Sequence, residues 1–206
     1  MPPILLASSS PYRAQLLAKL NLPFIQASPE LDETHLPHEV PESLVKRLSL
    51  AKAEALSETY PEYYIIGSDQ SLCAPNGEIL GKPHTVENAI QQLSLLSGNR
   101  VTFFTGLSLI SPKSCSESMA KQTVVVPFIV HFKELSKAEI EAYVRAEMPL
   151  DCAGSFKSEG LGISLFEKLE GEDPNSLIGL PLIKLCQLFS NVGINPLLMQ
   201  KTSTKP

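Results

Sequence analysis

Strand, polar loop and helix start follow one another in residues 4–13, which read ILLASSSPYR. The apolar run at residues 4–7 predicts a short buried strand. Ser10 followed by Pro11 is the pattern of a helix N-cap with proline at the first helical position, so we expect a helix to begin there. Strand followed by helix is the repeating unit of an α/β fold.

The alternation of strand and helix patterns continues along the chain. Helical spacing of apolar residues predicts helices at residues 41–60 and 85–97, a capping box of Ser136 and Glu139 opens another to about Glu147, and Pro181 opens the last. Predicted strands cover residues 24–27, 64–66, 101–110, 123–132 and a glycine-rich region at 154–169, with a hairpin around the Asn76-Gly77 turn. This order predicts an α/β fold with a mixed sheet flanked by helices.

Charge and composition argue against several classes of protein. The 206 residues include 17 basic and 22 acidic ones, a formal charge of −5, whereas a protein that neutralises duplex phosphates usually has a basic excess. We therefore expect no nucleic-acid partner, although a local basic pocket for one small anion is compatible with this charge. The run at residues 4–7 is too short for a signal peptide, and the apolar stretch at residues 124–130 contains Pro127 and is too short to span a membrane. The expected location is cytoplasmic, without a membrane partner.

The first polar cluster extends from Ser8 to Arg13. Hydroxyl groups, the free backbone N–H groups of a helix start and the guanidinium of Arg13 together suit a phosphate group. The same pattern fits an ordinary serine N-cap with a solvent-facing arginine. Both interpretations remain open on this segment alone.

Asp69 belongs to a second cluster, Gly67-Ser68-Asp69-Gln70, which the pattern places at the end of the strand at residues 64–66. A carboxylate at a strand end beside glycine is well placed to hold a metal ion or a water molecule. The alternative is a turn aspartate that accepts hydrogen bonds from its own backbone. In the third cluster, Lys82 lies on a rigid turn between Gly81 and Pro83, where it suits a phosphate and equally an exposed surface position.

Lys52 lies close to the apolar face of the helix at residues 41–60, four residues after Leu48. A lysine there either extends its amine to solvent or points into a charged pocket. Glu33, in an acidic stretch with Glu30 and Asp32, is either a source of metal oxygens or part of a solvated loop.

Taken in order, these clusters resemble the motifs of the Maf family of nucleotide pyrophosphatases. The resemblance covers about residues 4–198, so we expect a single nucleotide pyrophosphatase domain at residues 1–198 and a disordered tail at residues 199–206. The matching motifs are Ser8-x-Ser10-Pro11-x-Arg13, Asp32-Glu33, Lys52, Gly67-Ser68-Asp69, Gly81-Lys82-Pro83, Thr105-Gly106, the segment 153–160 and Gly179-Leu180-Pro181.

The resemblance implies a twisted mixed sheet with a deep substrate cleft, similar in shape to inosine-triphosphate pyrophosphatases. It implies cleavage of the α–β phosphoanhydride of a nucleoside triphosphate, giving the monophosphate and pyrophosphate, with Mg²⁺ or Mn²⁺ as cofactor. Asp69 is implied as the catalytic base and, with Glu33, as a metal ligand. The nucleotide is the implied partner, and a homodimer is compatible with the resemblance. The substrate-binding residues implied are Ser8, Arg13, Lys52 and Lys82, of which the three basic ones contact phosphates.

Three further positions indicate the substrate. Many Maf proteins have two arginines after the motif proline and a glutamine at the position of Glu159, whereas this chain has Tyr12 before Arg13 and a glutamate. Together with Gln70, Tyr12 and Glu159 resemble the subgroup that acts on 7-methyl-GTP, and they join the predicted substrate-binding residues. A dTTP or UTP pyrophosphatase of the same family, and a non-catalytic nucleotide-binding regulator of cell division, are the alternatives.

Overall fold

The computed structural model describes residues 3–115 and 121–200, which form a sheet with helices on both faces. The strands are β1 (Ile4–Ala7), β2 (Phe24–Ala27), β3 (Tyr64–Cys73), β4 (Ile79–Leu80), β5 (Arg100–Ile110), β6 (Lys121–Phe132) and β7 (Phe166–Glu170). The helices are α1 (Pro11–Ala18), α2 (Pro41–Ser57), α3 (Val86–Leu96), α4 (Lys137–Glu147), the short α5 (Asn175–Ile178) and α6 (Leu182–Asn191).

The sheet has seven strands in the order β2-β1-β3-β5-β6-β7, and β4 pairs with β3 outside this path. β1 pairs in parallel with β2 and β3, whereas the other pairs are antiparallel. At the centre of the sheet, Asp69 of β3 lies opposite Gly106 of β5. The predicted α/β fold with a mixed sheet flanked by helices is confirmed.

Alternate residues of the central strands pack on opposite faces of the sheet. Leu5 and Ile65 belong to the cluster beneath α2, while Leu6 and Ile66 belong to the cluster formed with α1 and α6. A third cluster lies against α3 and α4 at the other end of β5 and β6. Because Asp69 and Ile65 are separated by an even number of positions, Asp69 lies on the face that α2 covers.

Helix α2 packs its backbone directly on two glycines of the sheet. A Cβ atom on Gly67 would overlap the carbonyl oxygen of Ser49, and one on Gly106 would overlap that of Val45. The hydroxyl groups of Ser49 and Ser108, 3.0 Å apart, add a hydrogen bond between the helix and β5. This contact, called the glycine seat below, fixes the height and the register of α2 above β3 and β5.

Strand β3 is longer than the sequence pattern predicts. The prediction ended it at Ile66, but pairing with β5 continues to Cys73, so Asp69 lies within the strand and not at its end. A run of polar residues is tolerated there because the side chains are hydrogen-bonded: Ser68 Oγ lies 2.9 Å from the carbonyls of both Gly106 and Gly179, which share its one proton. Buried polar groups that have hydrogen-bond partners are stable in a central strand. A strand prediction based on runs of apolar residues misses them.

The glycine-rich region at residues 154–169 is the second wrong prediction, because only its end is a strand, within β7. Two short 3₁₀ turns, Ala153–Ser155 and Leu161–Leu165, precede it. Gly154 and Ser155 both have left-handed backbone angles, with φ of 74° and 61°. That conformation is incompatible with an extended strand.

The remaining predicted elements are confirmed within a few residues, and α2 ends at Ser57 three residues before its predicted end. The expected tail lies mostly outside the described residues. Of its two described members, Met199 packs against the α1–α6 cluster, and Gln200 donates to the carbonyl of Leu20 at 3.1 Å. No helix within residues 3–115 and 121–200 is long and apolar enough to cross a membrane.

The glycine seat predicts a specific loss of stability. Gly67→Ala should lower the free energy of unfolding by about 1–3 kcal/mol, the usual cost of overpacking, because the added methyl group meets helix backbone that cannot rotate away. Gly81→Ala is the matched control, since no atom lies within 4 Å of a Cβ at that position. Urea unfolding of both variants is the measurement, and equal stability of the two would show that α2 is not held by this contact.

Candidate active site

A cleft of about 650 Å³ opens beside β3 and is lined by residues of α2, such as Lys52, and of α5, such as Leu177. It is bounded by the β1–α1 loop, the segment between β2 and α2, the β4–α3 loop and the turns that precede β7. Its volume is in the range of small-molecule sites. All nine residues predicted from the sequence line this one cleft: Ser8, Tyr12, Arg13, Glu33, Lys52, Asp69, Gln70, Lys82 and Glu159.

Lys52 joins two carboxylates at the floor of the cleft. Its Nζ lies 2.6 Å from Oδ1 of Asp69 and 3.0 Å from Oε1 of Glu33. Lys52 and Asp69 are 6% and 8% exposed, whereas Glu33 is exposed. Lys52 therefore points into a charged pocket and does not extend to solvent. The interpretation of Asp69 as a turn aspartate is wrong, because its carboxylate pairs with a helix residue across the face of the sheet.

Arg13 is held beside this group by two hydrogen bonds. Its Nε donates to the carbonyl of Gly179 at 3.0 Å, and its Nη1 donates to Oγ of Ser8 at 3.3 Å. Burial lowers the pKa of the guanidinium, while the negative charges of Asp69 and Glu33 act in the opposite direction. Arginine stays charged in proteins, so Arg13 supplies a fixed positive charge and is not the solvent-facing residue of the alternative interpretation.

The β1–α1 loop is fixed at several points. Ser10 caps α1 by accepting the backbone N–H of Arg13 at 3.4 Å, and Ser8 Oγ accepts the N–H of Ser10 at 3.1 Å. Gln26 of the neighbouring strand donates to the carbonyl of Ser8 at 2.7 Å. The predicted N-cap is confirmed, and the loop that would face an anion is ordered by the protein itself.

Gln70 has a bridging position. Its Nε2 lies 2.8 Å from the carbonyl of Ser176, 3.1 Å from that of Leu177 and 3.2 Å from Oγ1 of Thr105. The side-chain amide thus ties β3 to β5 and to α5 while lining the cleft. Its part in substrate binding stays a prediction.

A second group of cleft residues is aromatic and acidic. Tyr12 is half-buried, and its hydroxyl lies 3.5 Å from Oδ1 of Asp151, a weak hydrogen bond. Burial raises the pKa of Tyr12, and nearby Cys152 and Asp151 raise it further, so the phenol is neutral at physiological pH. Glu159 also lines the cleft and is exposed. Nothing in the sequence drew attention to Asp151, because a lone aspartate in a turn carries no pattern.

Two neighbouring carboxylates are the groups in the cleft that could bind a metal ion. Asp69 and Glu33 both contact Lys52, and the described residues contain no group of three or more His, Cys, Asp or Glu side chains suited to a metal ion. Lys82 is exposed at the rim of the cleft, where its amine is free to reach a ligand.

Comparison with known proteins identifies the family of the chain. Residues 3–192 match the family model described as Maf-like protein. The chain belongs to the Maf family. The resemblance inferred from the ordered motifs is therefore confirmed, and this Maf protein can be compared with relatives over almost its whole length.

One relative is a 7-methyl-GTP pyrophosphatase from Pseudomonas aeruginosa, 56% identical over 194 residues that cover 94% of this chain and 98% of the relative. Among solved structures, a HAM1 protein from Coxiella burnetii superposes with a TM-score of 0.54 at 16% identity, covering 93% of this Maf protein and all of that chain, 100%. The Ham1 protein of Staphylococcus aureus has a TM-score of 0.46 at 17% identity, covering 64% and 72% of the two chains. At such identities the likeness to the Coxiella protein concerns the fold alone.

The Lys52–Asp69 pair predicts a coupled effect on stability. Lys52→Met should lower the free energy of unfolding by about 1–3 kcal/mol, the cost of a buried polar group left without a partner. The loss should be much smaller in an Asp69→Asn background, where no buried carboxylate is left unpaired. Lys113→Met is the matched control, because its pair with Glu58 is exposed and such pairs contribute about 1 kcal/mol or less. Equal losses from Lys52→Met in both backgrounds would contradict the coupling.

Proposed function

We propose that this Maf protein hydrolyses the α–β phosphoanhydride of a nucleoside triphosphate, with 7-methyl-GTP as the preferred substrate. The observation that carries the proposal is that one cleft is lined both by the cations Arg13 and Lys52 beside Asp69 and by an aromatic residue with an acidic neighbour, Tyr12 and Asp151. A nucleotide with a positively charged base has the complementary distribution of charge. The name of the Pseudomonas relative gives independent support.

The cationic residues of the cleft suit the triphosphate. Arg13 presents a fixed guanidinium, which can form paired hydrogen bonds with phosphate oxygens. Lys52 and Lys82 add two flexible point charges, one on the cleft floor and one at its rim. Because Arg13 and Lys52 are already held by protein partners, little conformational freedom is lost when the anion binds.

Asp69 and Glu33 fit a hard divalent cation. Mg²⁺ is usually held by one or two carboxylates together with substrate phosphates, and it needs no complete cage of protein ligands. We therefore infer that Asp69 and Glu33 hold Mg²⁺ or Mn²⁺ when the nucleotide is present. The cation supplies positive charge that stabilises the leaving pyrophosphate.

We also propose that Asp69 acts as the general base. In the proposed step, a water oxygen attacks the α-phosphorus while Asp69 accepts a proton from that water. The bond between the α-phosphorus and the bridging oxygen breaks, and the electron pair leaves with pyrophosphate. Lys52 neutralises the carboxylate in the free protein and is available to the phosphates once the substrate and cation are bound.

Tyr12 and the acidic residues of the cleft suit the base. Methylation at N7 gives guanine a delocalised positive charge that GTP lacks, and a neutral tyrosine face attracts such a ring by about 0.5–2 kcal/mol. Glu159 and Asp151 add negative charge to the lining of the cleft. An arginine at position 12 would repel the methylated base, whereas Tyr12 attracts it. For this physical reason we prefer 7-methyl-GTP to dTTP or UTP as the substrate.

The chemistry is tested by product analysis with Asp69→Asn. Wild-type protein should release pyrophosphate, with no stepwise orthophosphate, and its activity should vanish in chelator and return with Mg²⁺ or Mn²⁺. The variant should fold normally, since asparagine still accepts a hydrogen bond from Lys52, and should lose ~10²–10⁴-fold in kcat, the usual value of a general base. Near wild-type turnover of a correctly folded Asp69→Asn would exclude this carboxylate as the catalytic group.

The base preference is tested by kcat/KM for 7-methyl-GTP, GTP, dTTP and UTP. The wild type should prefer 7-methyl-GTP, and both Tyr12→Arg and Glu159→Gln should reduce its advantage over GTP by up to ~10-fold each, as expected for a lost cation–π or charge contact. Tyr12→Phe keeps the ring and should keep the preference. Glu167→Gln, on exposed β7, is the control for the loss of a surface charge. A wild-type preference for dTTP would disprove the charge-recognition idea and leave the pyrophosphatase proposal intact.

A further inference from the structure

Glu33 reaches the cleft floor from a segment without regular structure. Residues 28–40 connect the edge strand β2 to α2 and contain no helix or strand. Glu33 is exposed, and its carboxylate lies 3.0 Å from Lys52 Nζ. A flexible glutamate on a loop loses conformational entropy when it is held in one place. The position of Glu33 therefore depends on what holds the backbone of this segment.

Arg47 of α2 holds the segment at two points. Its Nε and Nη2 donate to the two carboxylate oxygens of Glu39 at 2.7 and 2.6 Å, the bidentate geometry that is the strongest form of this pair. The same Nη2 donates to the carbonyl of Thr34, the residue next to Glu33, at 3.2 Å. We call these contacts the loop clamp.

Glu39 is built into the segment it holds. One carboxylate oxygen accepts the backbone N–H of Leu36 at 3.1 Å, and the side chain is only 7% exposed. Hydrogen bonds from Arg47 lower the pKa of Glu39 from its ordinary value to about 2, so the pair is ionised at neutral pH. The Arg47 side chain is 32% exposed, so the pair is partly buried, and the backbone hydrogen bond of Glu39 distinguishes it from a free surface pair.

The loop clamp stands outside the cleft. Neither Arg47 nor Glu39 lines it, so neither contacts a ligand bound there. Arg47 and Lys52 are carried by the same helix, whose place on the sheet is fixed by the glycine seat. One helix thus fixes both ends of the Glu33 contact: Lys52 directly, and the backbone beside Glu33 through Arg47.

We propose that Arg47 and Glu39 are positioning residues that hold Glu33 against Lys52 and Asp69. They act on the loop backbone and take no part in the chemistry. The expected effect on catalysis rests on the proposed pyrophosphatase function, whereas the expected effect on the order of the loop does not.

The kinetic test is a double-mutant cycle. Arg47→Lys keeps the charge but loses the bidentate geometry, and Glu39→Gln keeps the shape but loses the charge. Each should lower kcat/KM by ~10–100-fold, the usual effect of residues that orient a metal ligand. In a Glu33→Gln background neither should cause a further loss beyond about twofold, because residues that act through one group are not additive.

The structural test is hydrogen–deuterium exchange of the free protein. Backbone amides of residues 28–40 should exchange faster in both clamp variants, while those of α3 should not change. Arg145→Lys is the matched control, since Arg145 forms a surface pair with Glu141 at 3.6 Å on α4. It should alter neither kcat/KM nor exchange in the segment.

The outcomes separate the two proposals. A full further loss of kcat/KM in the Glu33→Gln background, or unchanged exchange in residues 28–40, overturns the positioning role. If Arg47→Lys fails to fold, Glu39→Gln decides the question by the same cycle. A wild type that hydrolyses no nucleoside triphosphate would refute the proposed function, and the exchange experiment would still decide whether the clamp holds the loop.

Discussion

The backbone contact between α2 and the glycines of β3 and β5 sets the geometry of the whole cleft. Because Gly67 and Gly106 have no side chain, the helix lies low enough on the sheet for Lys52 to reach Asp69. A helix held away from the sheet by ordinary side chains would leave this lysine short of the carboxylate. The same helix carries Arg47, so the segment that bears Glu33 is also placed relative to the sheet by this contact. A steric constraint on two glycines thus places Lys52 and Arg47 relative to the sheet.

Charge compensation explains how such a cleft is stable before any ligand binds. A lysine and an aspartate that are both largely removed from water are costly unless they neutralise one another. Lys52 and Asp69 do so at 2.6 Å, with Arg13 and Glu33 close by.

Local signals in the sequence predict most of the elements, because an N-cap at Ser10, a capping box at Ser136 and an Asn-Gly turn depend on neighbouring residues. The strand character of Asp69 could not be predicted in this way. The partners that let polar residues continue the strand come from β5, α2 and α5, all distant in sequence. The family motifs predict a set of residues that all line one cleft, but they do not show that Lys52 pairs with Asp69. Asp151 and the Arg47–Glu39 pair left no signal, since single charged residues in turns and helices are common.

The hydrogen bonds of the Gly179 carbonyl have a consequence for when the site can form during biosynthesis. It accepts hydrogen bonds from Arg13 at 3.0 Å and from Ser68 at 2.9 Å, across sequence separations of 166 and 111 residues. During translation, both donors leave the ribosome long before this acceptor is made. A truncated chain that ends before Gly179 would contain every candidate site residue and still lack the group that holds Arg13 in place. Formation of the corner of the cleft around Arg13 is thereby linked to completion of the polypeptide.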